Sequence, residues 1–418
     1  MRDRLRNWGR LAVVDVTPLR QVPGYRWLFA GMFFVHAGRM MTVVAAPFQI
    51  FQLTDSTLAV GLLGLAQLVP LLLVSVVGGA LADAINRRRL LVFSQLTLAA
   101  TASGLLWNSM AETPMIWLIY VLVAINAGVS AIDSPARHAI LPGLVGRALL
   151  PASLALNQTL TTAAAAALPA VAGLLISTAG LPFTYGIEVV MFLIGASLMR
   201  HVPDVVTEGG GRKLELSSVT EGFRYLKGRR VIQAALLIDL NAMVFGMPTA
   251  LFPAMGTEVF GGDAFTVGLL YAAPGVGALV GAVTSGWVGS VRRQGRATVM
   301  AVIGWGVSIA VFGLTDSLTI ALIMLGFAGA ADVVSAIFRS SIIQLTAPDE
   351  MRGRMSGMHT AVVAGGPRLG DLEAGIVAEL TSIRFSVVSG GLACIIGAMV
   401  IARWAPEFFH YRYEPAVE

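Results

Sequence analysis

The chain has 418 residues, of which 56% are hydrophobic and only 13% are charged, and its mean hydropathy is +0.77. Soluble domains usually contain about 25% charged residues, so the composition excludes a soluble protein and predicts one that crosses a membrane several times. The net charge of +5 fits basic residues that mark the cytoplasmic side of such a protein, and we therefore expect no nucleic-acid partner.

The apolar residues fall into twelve runs, each close to the ~20 residues that a membrane helix needs. The runs lie near residues 26–52, 57–82, 90–109, 115–135, 152–178, 183–200, 231–255, 266–289, 297–315, 318–343, 355–380 and 384–404. The sequence thus predicts an all-α membrane protein with twelve transmembrane helices in two six-helix bundles, residues 25–200 and 231–404. Residues 1–24 and 405–418 are expected to be cytoplasmic tails.

A polar segment, residues 201–230, joins the two predicted bundles. Apolar residues recur in it at helical spacing, at Leu216, Val219, Phe223 and Leu226, which predicts an amphipathic helix on the inner membrane surface. The first apolar run follows several arginines, but no small-residue cleavage site follows it. We therefore expect this run to be retained as a helix.

Basic residues occur mainly in every second predicted loop. They concentrate in the tails and after predicted helices 2, 4, 6, 8 and 10, as expected for loops that stay in the cytoplasm. Of the 29 basic residues, only Arg39, Arg368 and Arg384 lie elsewhere, the first two inside helices. We predict a multi-pass protein of the cell membrane with both termini in the cytoplasm.

The two halves share short sequences at corresponding places. Val60-Gly61-Leu62-Leu63 opens predicted helix 2 and Val267-Gly268-Leu269-Leu270 opens predicted helix 8. Val129-Ser130-Ala131-Ile132 in predicted helix 4 returns as Val334-Ser335-Ala336-Ile337 in predicted helix 10. These matches indicate a six-helix unit duplicated in parallel orientation, a design that binds its substrate between the repeats. Because one chain carries both halves, we expect a monomer.

A short charged loop separates predicted helices 2 and 3. Gly79 allows close helix approach, Asp83 can meet a basic residue at the helix end, and arginines follow it. We expect Gly79, Asp83, Arg87 and Arg88 to form a cytoplasmic gate that latches the two halves in one state only. Asp133 and Arg137, four residues apart at the inner end of predicted helix 4, are assigned to the same gate in preference to a substrate contact.

The pattern Gly79-x-Leu81-Ala82-Asp83-x-x-x-Arg87-Arg88-Arg89 resembles the signature loop of the major facilitator superfamily. It departs from that signature at Ala84 and Asn86, and Ser290 replaces the acid in the second half. Further segments are similar to the enterobactin exporter branch of the superfamily: Pro47-Phe48-Gln49-Ile50, Gly268-Leu269-Leu270-Tyr271-Ala272-Ala273-Pro274 and Ala347-Pro348-Asp349-Glu350-Met351-Arg352-Gly353-Arg354. The resemblance implies export of a catecholate siderophore or a similar amphipathic small molecule by proton antiport, with alternating access.

Other functions are compatible with the same pattern. A broad-range multidrug exporter or an importer would have the same fold, and a protein of another class, a non-transporting sensor or scaffold, would need no charges inside its helices. The sequence contains no Gly-rich phosphate-binding loop, only one cysteine and five scattered histidines. We therefore expect no enzyme, no cofactor and no metal, and only a small-molecule substrate, protons and the lipid bilayer as partners.

Charged residues inside the predicted helices are candidates for transport, because a charge at the bilayer centre costs at least ~2.5–3.5 kcal/mol. Asp239 is the leading candidate for proton coupling, since it lies in the first helix of the second half among apolar neighbours. Burial makes an ionised carboxylate unfavourable, which suits proton exchange. The alternative is an Asp239 close enough to the inner end to be hydrated. Asp371 and Glu373 are further coupling candidates.

Polar residues of the same helices are candidates to line the substrate cavity, namely His36, Arg39, Asn126, Asn241 and Arg368. The Arg39 guanidinium fits carboxylates and catecholates, but it would equally neutralise Asp371 or Glu373. Arg368 and Asp371, three residues apart, form either a pair that only holds their helix or part of the transport site. Asp332 and Arg339 are expected to form a structural latch. Glu188 is expected to be hydrated near the outer end.

Overall fold

The computed structural model describes residues 15–84, 86–204 and 224–413, with the backbone alone for residues 75–84 and 349. Most of the predicted amphipathic helix, including Leu216, Val219 and Phe223, lies outside the described residues. Within the described ranges the chain is almost entirely helical and contains no β-strand.

Twelve long helices form the described fold, as predicted. The first six are α1 (Pro23–Thr54), α2 (Thr57–Ala84), α3 (Arg87–Ser109), α4 (116–145), α5 (147–179) and α6 (181–199). The second six are α7 (Arg230–Phe245), α8 (Ala264–Val283), α9 (Gln294–Leu314), α10 (Leu318–Thr346), α11 (Asp349–Leu380) and α12 (Ile383–Trp404). Two short helices, Thr17–Gln21 and Pro406–Phe409, flank them.

Helices α4, α5 and α6 follow one another without a loop, as one run of 84 residues, Ile116–Met199. Gly146 and Gly180 interrupt this run with φ angles of 71° and 83°, in the left-handed region that glycine adopts at little cost. Each glycine therefore ends one helix and starts the next, so that the run supplies three of the twelve helices.

The described helices suit a membrane. Nine of them are long and apolar enough to cross one, with Ile116–Met199 counted once. The three helices inside that run and the more polar α11 complete the twelve. Large apolar side chains point outward, for example Val283 with 79% and Phe93 with 69% of the residue exposed, as expected for a surface in contact with lipid.

Several helices extend beyond the predicted apolar runs. Predicted helix 4 ends at residue 135, whereas α4 continues to residue 145. A prediction from apolar runs cannot detect the part of a helix that continues through polar residues at the membrane surface. The α-helix predicted for residues 266–289 ends at Val283, and Ser285–Ser290 form a 3₁₀ turn. The predicted C-terminal tail begins with a packed segment, since Phe408 is fully buried.

Helix α7 is broken where two prolines occur. After Phe245 the chain passes through a 3₁₀ turn, Thr249–Leu251, and a π turn, Met255–Val259. Pro248 and Pro253 have no backbone N–H, so they cannot continue the α-helical hydrogen bonds. Backbone groups at the break must therefore find other partners.

Side chains of three other helices supply those partners. The Trp305 Nε1–H donates to the carbonyl of Gly246 at 2.6 Å, and the Tyr271 hydroxyl donates to the carbonyl of Thr249 at 2.9 Å. On the other side of the break, the carboxylate of Asp371 accepts a hydrogen bond from the backbone N–H of Ala250 at 2.9 Å. The break is thus a fixed part of the fold.

We call the end of the bundle that carries Thr17–Gln21 and Pro406–Phe409 the terminal face, and the opposite end the distal face. The two halves meet through α2 with α11 and α5 with α8. Glycines allow both contacts, since a Cβ on Gly375 would lie 3.0 Å from the Gly61 Cα and one on Gly173 would lie 2.8 Å from the Gly268 Cα. Such small residues let helix backbones approach closely in membranes.

Glycines of α11 differ in what they pack against along the helix. Near the middle of α11, a Cβ on Gly365 would lie 3.4 Å from Leu68 of α2. Nearer the terminal face, a Cβ on Gly353 or Gly357 would meet no atom within 4 Å. The described packing of α2 against α11 thus lies in the distal and middle parts of α11.

Candidate transport site

Two arginines, one from each half, lie deep in the bundle. Arg39 is near the middle of α1 and Arg368 lies in α11, and both are partly exposed. Arg39 is close enough to Arg368, Arg137 and Asp133 to interact electrostatically with them. Within the described ranges, no hydrogen bond or ion pair ties the guanidinium of Arg39 or Arg368 to another residue. The two side chains therefore keep their hydrogen-bond donors free for a ligand.

The other predicted cavity residues differ in their contacts. His36 lies one turn before Arg39, with Nδ1 2.8 Å from the carbonyl of Met32 and Nε2 3.4 Å from the Thr161 hydroxyl of α5. Since a carbonyl only accepts, Nδ1 is the donor. Asn126 in α4 is partly exposed.

Asn241 is engaged in helix packing. Its side-chain amide donates a hydrogen bond to the carbonyl of Cys394 at 2.9 Å, and Gly397 packs directly against it. This places the side chain between α7 and α12, so we no longer assign it to the cavity.

Asp133 and Arg137 form an ion pair along α4. An Asp133 oxygen lies 3.0 Å from Arg137 Nη2, and the Gln95 amide of α3 donates to the other oxygen at 3.0 Å. Both charged side chains are at least 93% buried within the first half. The pair therefore ties α3 to α4, and it reaches no residue of the second half in this conformation.

A second buried ion pair lies in the other half, between α7 and α10. The Asp239 Oδ1 atom is 2.7 Å from Arg339 Nη2, and both side chains are almost completely buried. The Ser335 hydroxyl accepts a hydrogen bond from Arg339 Nη1 at 2.8 Å. Asp239 thus lies beside a cation, whereas its sequence neighbours had predicted an apolar environment. Neighbours in sequence point in different directions around a helix, so they do not report what the side chain faces.

Two partly exposed residues lie beside this pair. His359 Nε2 of α11 is 3.3 Å from Asp239 Oδ2, with 21% of the His359 side chain exposed. Asp332 lies 3.7 Å from Arg339, with 34% of its side chain exposed. The buried pair thus has an ionisable, partly exposed residue beside each of its two members. The predicted contact of Asp332 with Arg339 is present, but Arg339 approaches Asp239 more closely.

His359 is absent from the sequence-based candidates. It lies inside predicted helix 11 (355–380), where a histidine is as unusual as Asp371 and Glu373, the acids that are candidates for proton coupling. Its pairing with Asp239 depends on how α7 and α11 pack, and no spacing along one helix encodes that contact.

Asp371 braces the break in α7. Its carboxylate accepts hydrogen bonds from the Thr249 hydroxyl and, at 2.9 Å, from the backbone N–H of Ala250. No ion pair joins it to Arg368 among the described contacts, so of the two alternatives given for these residues the self-satisfied pair is not seen. Glu373, two residues on, is partly exposed.

The arginines of the predicted gate contact their own half. Arg87 donates to the carbonyl of Ala139 in α4 at 3.1 Å, and Arg88 Nε lies 3.1 Å from the carboxylate of Asp204, which follows α6. The side chains of Gly79 and Asp83 lie outside the described residues. In this conformation Arg87 and Arg88 thus brace the first half, and the described contacts form no latch to the second half.

A charged contact closes the distal face instead. Glu379, near the end of α11, accepts hydrogen bonds from the Ser56 hydroxyl at 2.9 Å and from the backbone N–H of Leu58 at 3.3 Å. The Thr57 hydroxyl adds a donor at 3.3 Å. The second half thus supplies the acidic cap for the first turn of α2, where a carboxylate is favourable.

Glu188 is fully buried, and the expectation of a hydrated side chain was wrong. It accepts a hydrogen bond from the Thr42 hydroxyl of α1. The prediction failed because α6 turns this residue toward α1 and not toward water, and the position of a residue along a helix does not give its direction around the axis.

The chain matches the family model described as transmembrane secretion effector over residues 14–410. It is similar to the enterobactin exporter EntS of Escherichia coli strain K12, with 28% identity over 408 residues that cover 96% of this chain and 97% of the exporter. It is also similar to the enterobactin exporter EntS of Citrobacter koseri, with 28% identity over 410 residues and 97% of each chain covered.

Solved structures share the fold. A D-xylose-proton symporter matches with a TM-score of 0.68 and 15% identity, covering 92% of this chain and 98% of the symporter. A bacterial homologue of the iron transporter ferroportin, solved in an inward-facing state, matches with a TM-score of 0.69 and 15% identity over 92% and 98% of the two chains.

Proposed function

Because the chain belongs to the transmembrane secretion effector family of the major facilitator superfamily, we propose that it exports a catecholate siderophore or a similar amphipathic small molecule, in exchange for protons. The relatives named enterobactin exporter support the substrate class. We place the protein in the cell membrane as a monomer, with the terminal face in the cytoplasm, because Arg87, Arg88 and Arg200 lie at that face.

One observation carries the substrate assignment, namely the two guanidiniums of Arg39 and Arg368, which belong to opposite halves and form no hydrogen bond or ion pair with a described residue. Burying a charge without a partner is unfavourable, so an anionic ligand at this position is favoured. Planar guanidinium groups bind carboxylates and catecholates through paired hydrogen bonds. A ligand held by both arginines would also connect the two halves, as alternating access requires.

The proton-coupling step is assigned to Asp239, with Asp371 and Glu373 as further candidates. Asp239 is held by Arg339, and the partly exposed His359 lies beside it. Protonation of Asp239 would weaken its attraction to Arg339, because the neutral acid no longer balances the guanidinium charge. The packing of α7 against α10 then depends on the protonation state, which gives a route from proton binding to helix movement.

The conformation described here fits the loading state of an exporter. The contacts of Glu379 and of the glycines of α2 and α11 at the distal face support this proposal, as do Gly353 and Gly357 of α11, where an added Cβ would meet no atom within 4 Å. In the opposite state the distal contacts would separate. The loop with Gly79, Asp83, Arg87 and Arg88 and the pair Asp133–Arg137 would then close the terminal face.

The proposal is tested in everted membrane vesicles with an acidic interior. We expect uptake of a catecholate siderophore by vesicles that carry the protein and none by control vesicles. Uptake of a lipophilic cationic drug without siderophore uptake would replace the siderophore assignment by multidrug export. If neither compound moves and a binding assay also detects no siderophore, the transport assignment itself fails in favour of a sensor or scaffold.

A further inference from the structure

A groove at the terminal face combines arginines with exposed apolar side chains. It lies between the start of α3 and the end of α6 and is lined by Arg88, Arg89, Val92, Phe93, Leu96 and Arg200. The groove belongs to the first half alone, and none of its residues takes part in the transport site.

Two of its arginines have no partner. Arg89 and Arg200 are exposed, and within the described ranges their guanidiniums form no hydrogen bond or ion pair. Arg88, by contrast, is paired with Asp204 at 3.1 Å. The groove thus keeps two free positive charges, which is what an anionic ligand requires.

The apolar side chains continue directly below the charges. Phe93 follows Arg89 by four residues and Leu96 follows Phe93 by three, so the three side chains lie on one face of α3. This stripe runs ~10 Å along the helix axis, at 1.5 Å per residue. Phe93 is 69% exposed and Leu96 is 39% exposed, and no described residue covers them.

The order of the groups, charge at the membrane surface and apolar side chains beneath it, is the order of groups in a phospholipid. A phosphate headgroup beside Arg89 and Arg200 would place its acyl chain along Phe93 and Leu96. Basic pockets at the cytoplasmic ends of membrane helices bind anionic headgroups in this way. We propose that the groove between α3 and α6 binds one anionic phospholipid of the leaflet at the terminal face.

The test uses the purified full-length protein in mild detergent. Native mass spectrometry measures binding of phosphatidylglycerol and phosphatidylcholine with the same acyl chains. We expect the wild-type protein to prefer phosphatidylglycerol by about thirtyfold, since two basic residues near an anionic surface together contribute about 2 kcal/mol. In the double variant Arg89→Gln/Arg200→Gln this preference should fall close to one.

A matched variant separates the groove from net charge. Arg293→Gln/Arg296→Gln removes two exposed arginines from the second half and should keep the preference. An equal loss in both variants, or no loss in Arg89→Gln/Arg200→Gln, would overturn the proposal. The melting temperature of each variant in phosphatidylcholine checks that it is folded.

Two further arms distinguish a lipid from a soluble phosphate compound. Phe93→Gln should weaken phosphatidylglycerol binding, because the acyl chain loses its apolar contact. Soluble glycerol phosphate at the same concentration should not displace the lipid. Equal competition by glycerol phosphate would show that only the phosphate is recognised, and the lipid assignment would then be wrong.

Discussion

Asp239 and Arg339 form a 2.7 Å ion pair in the interior of the second half. No described contact joins either side chain to Arg39 or Arg368, the two arginines proposed to bind the substrate, and the partly exposed His359 and Asp332 lie beside the pair. The residue proposed for proton coupling and the residues proposed for substrate binding are therefore different. This separation makes the two functions testable one at a time.

Asp239→Asn should abolish proton coupling while the protein still binds its substrate. The asparagine keeps a hydrogen-bond acceptor for Arg339 but cannot take up a proton. Substrate-induced proton efflux from everted vesicles should fall to the background level, and binding should change by less than about threefold, because no substrate contact is lost. Asp316→Asn at the exposed pair with Arg384 is the control and should behave as wild type. Full proton efflux in Asp239→Asn would remove Asp239 from the coupling step.

His359→Gln should slow proton exchange without abolishing it. The side chain is the partly exposed neighbour of Asp239, and a positioned proton carrier typically accelerates transfer on the order of a hundredfold or more. The rate of proton efflux at saturating substrate should fall, whereas the substrate Kd should not change. The exposed His410→Gln is the matched control. A changed Kd with a normal rate would assign His359 to the substrate site.

Arg39→Gln and Arg368→Gln should each weaken binding of an anionic substrate. A hydrogen bond to a charged group contributes about 1.5–3 kcal/mol, so each variant should raise the Kd by about tenfold or more. Arg403→Gln, at the exposed end of α12, provides a charge-matched control. Unchanged siderophore binding in both variants would refute the arginine pair as the substrate site.

Glu379→Ala should open the distal face. The substitution removes the carboxylate that caps α2 from the other half, and loss of a helix cap costs about 0.5–2 kcal/mol, enough to change the ratio of the two conformations by up to about thirtyfold. Spin labels at Trp107→Cys in α3 and Phe385→Cys in α12, exposed sites near the distal face, report the distance between the halves. Glu379→Gln keeps an acceptor and should shift less. An unaltered distance distribution in Glu379→Ala would mean that the cap does not hold the face closed.

Gly268→Ala should destabilise the same closed face. Its Cβ would lie 2.5 Å from the carbonyl oxygen of Pro169, so α5 and α8 would have to separate. We expect a melting temperature lower by several degrees, for a change of about 1–3 kcal/mol. Gly304→Ala in α9 meets no atom within 4 Å and should leave the melting temperature unchanged. A similar melting temperature for both variants would show that this helix contact tolerates separation.

Much of the fold could be predicted from apolar runs, because the bilayer imposes helix length and the arginines mark one face. The contacts at the site could not be predicted from the sequence. Asp239 and His359 meet because α7 and α11 pack side by side. Glu379 accepts a hydrogen bond from Leu58, which belongs to the other half of the chain. Spacing within one helix left two alternatives open for Arg368 and Asp371, which are three residues apart, and the structure shows that Asp371 contacts Thr249 at the break.

The most direct test measures siderophore uptake and proton efflux together, in everted vesicles with an acidic interior. We predict that a catecholate siderophore enters wild-type vesicles while protons leave, that Arg39→Gln/Arg368→Gln reduces both fluxes together, and that Asp239→Asn removes the proton flux. Siderophore accumulation without proton movement in the wild-type protein would contradict the account.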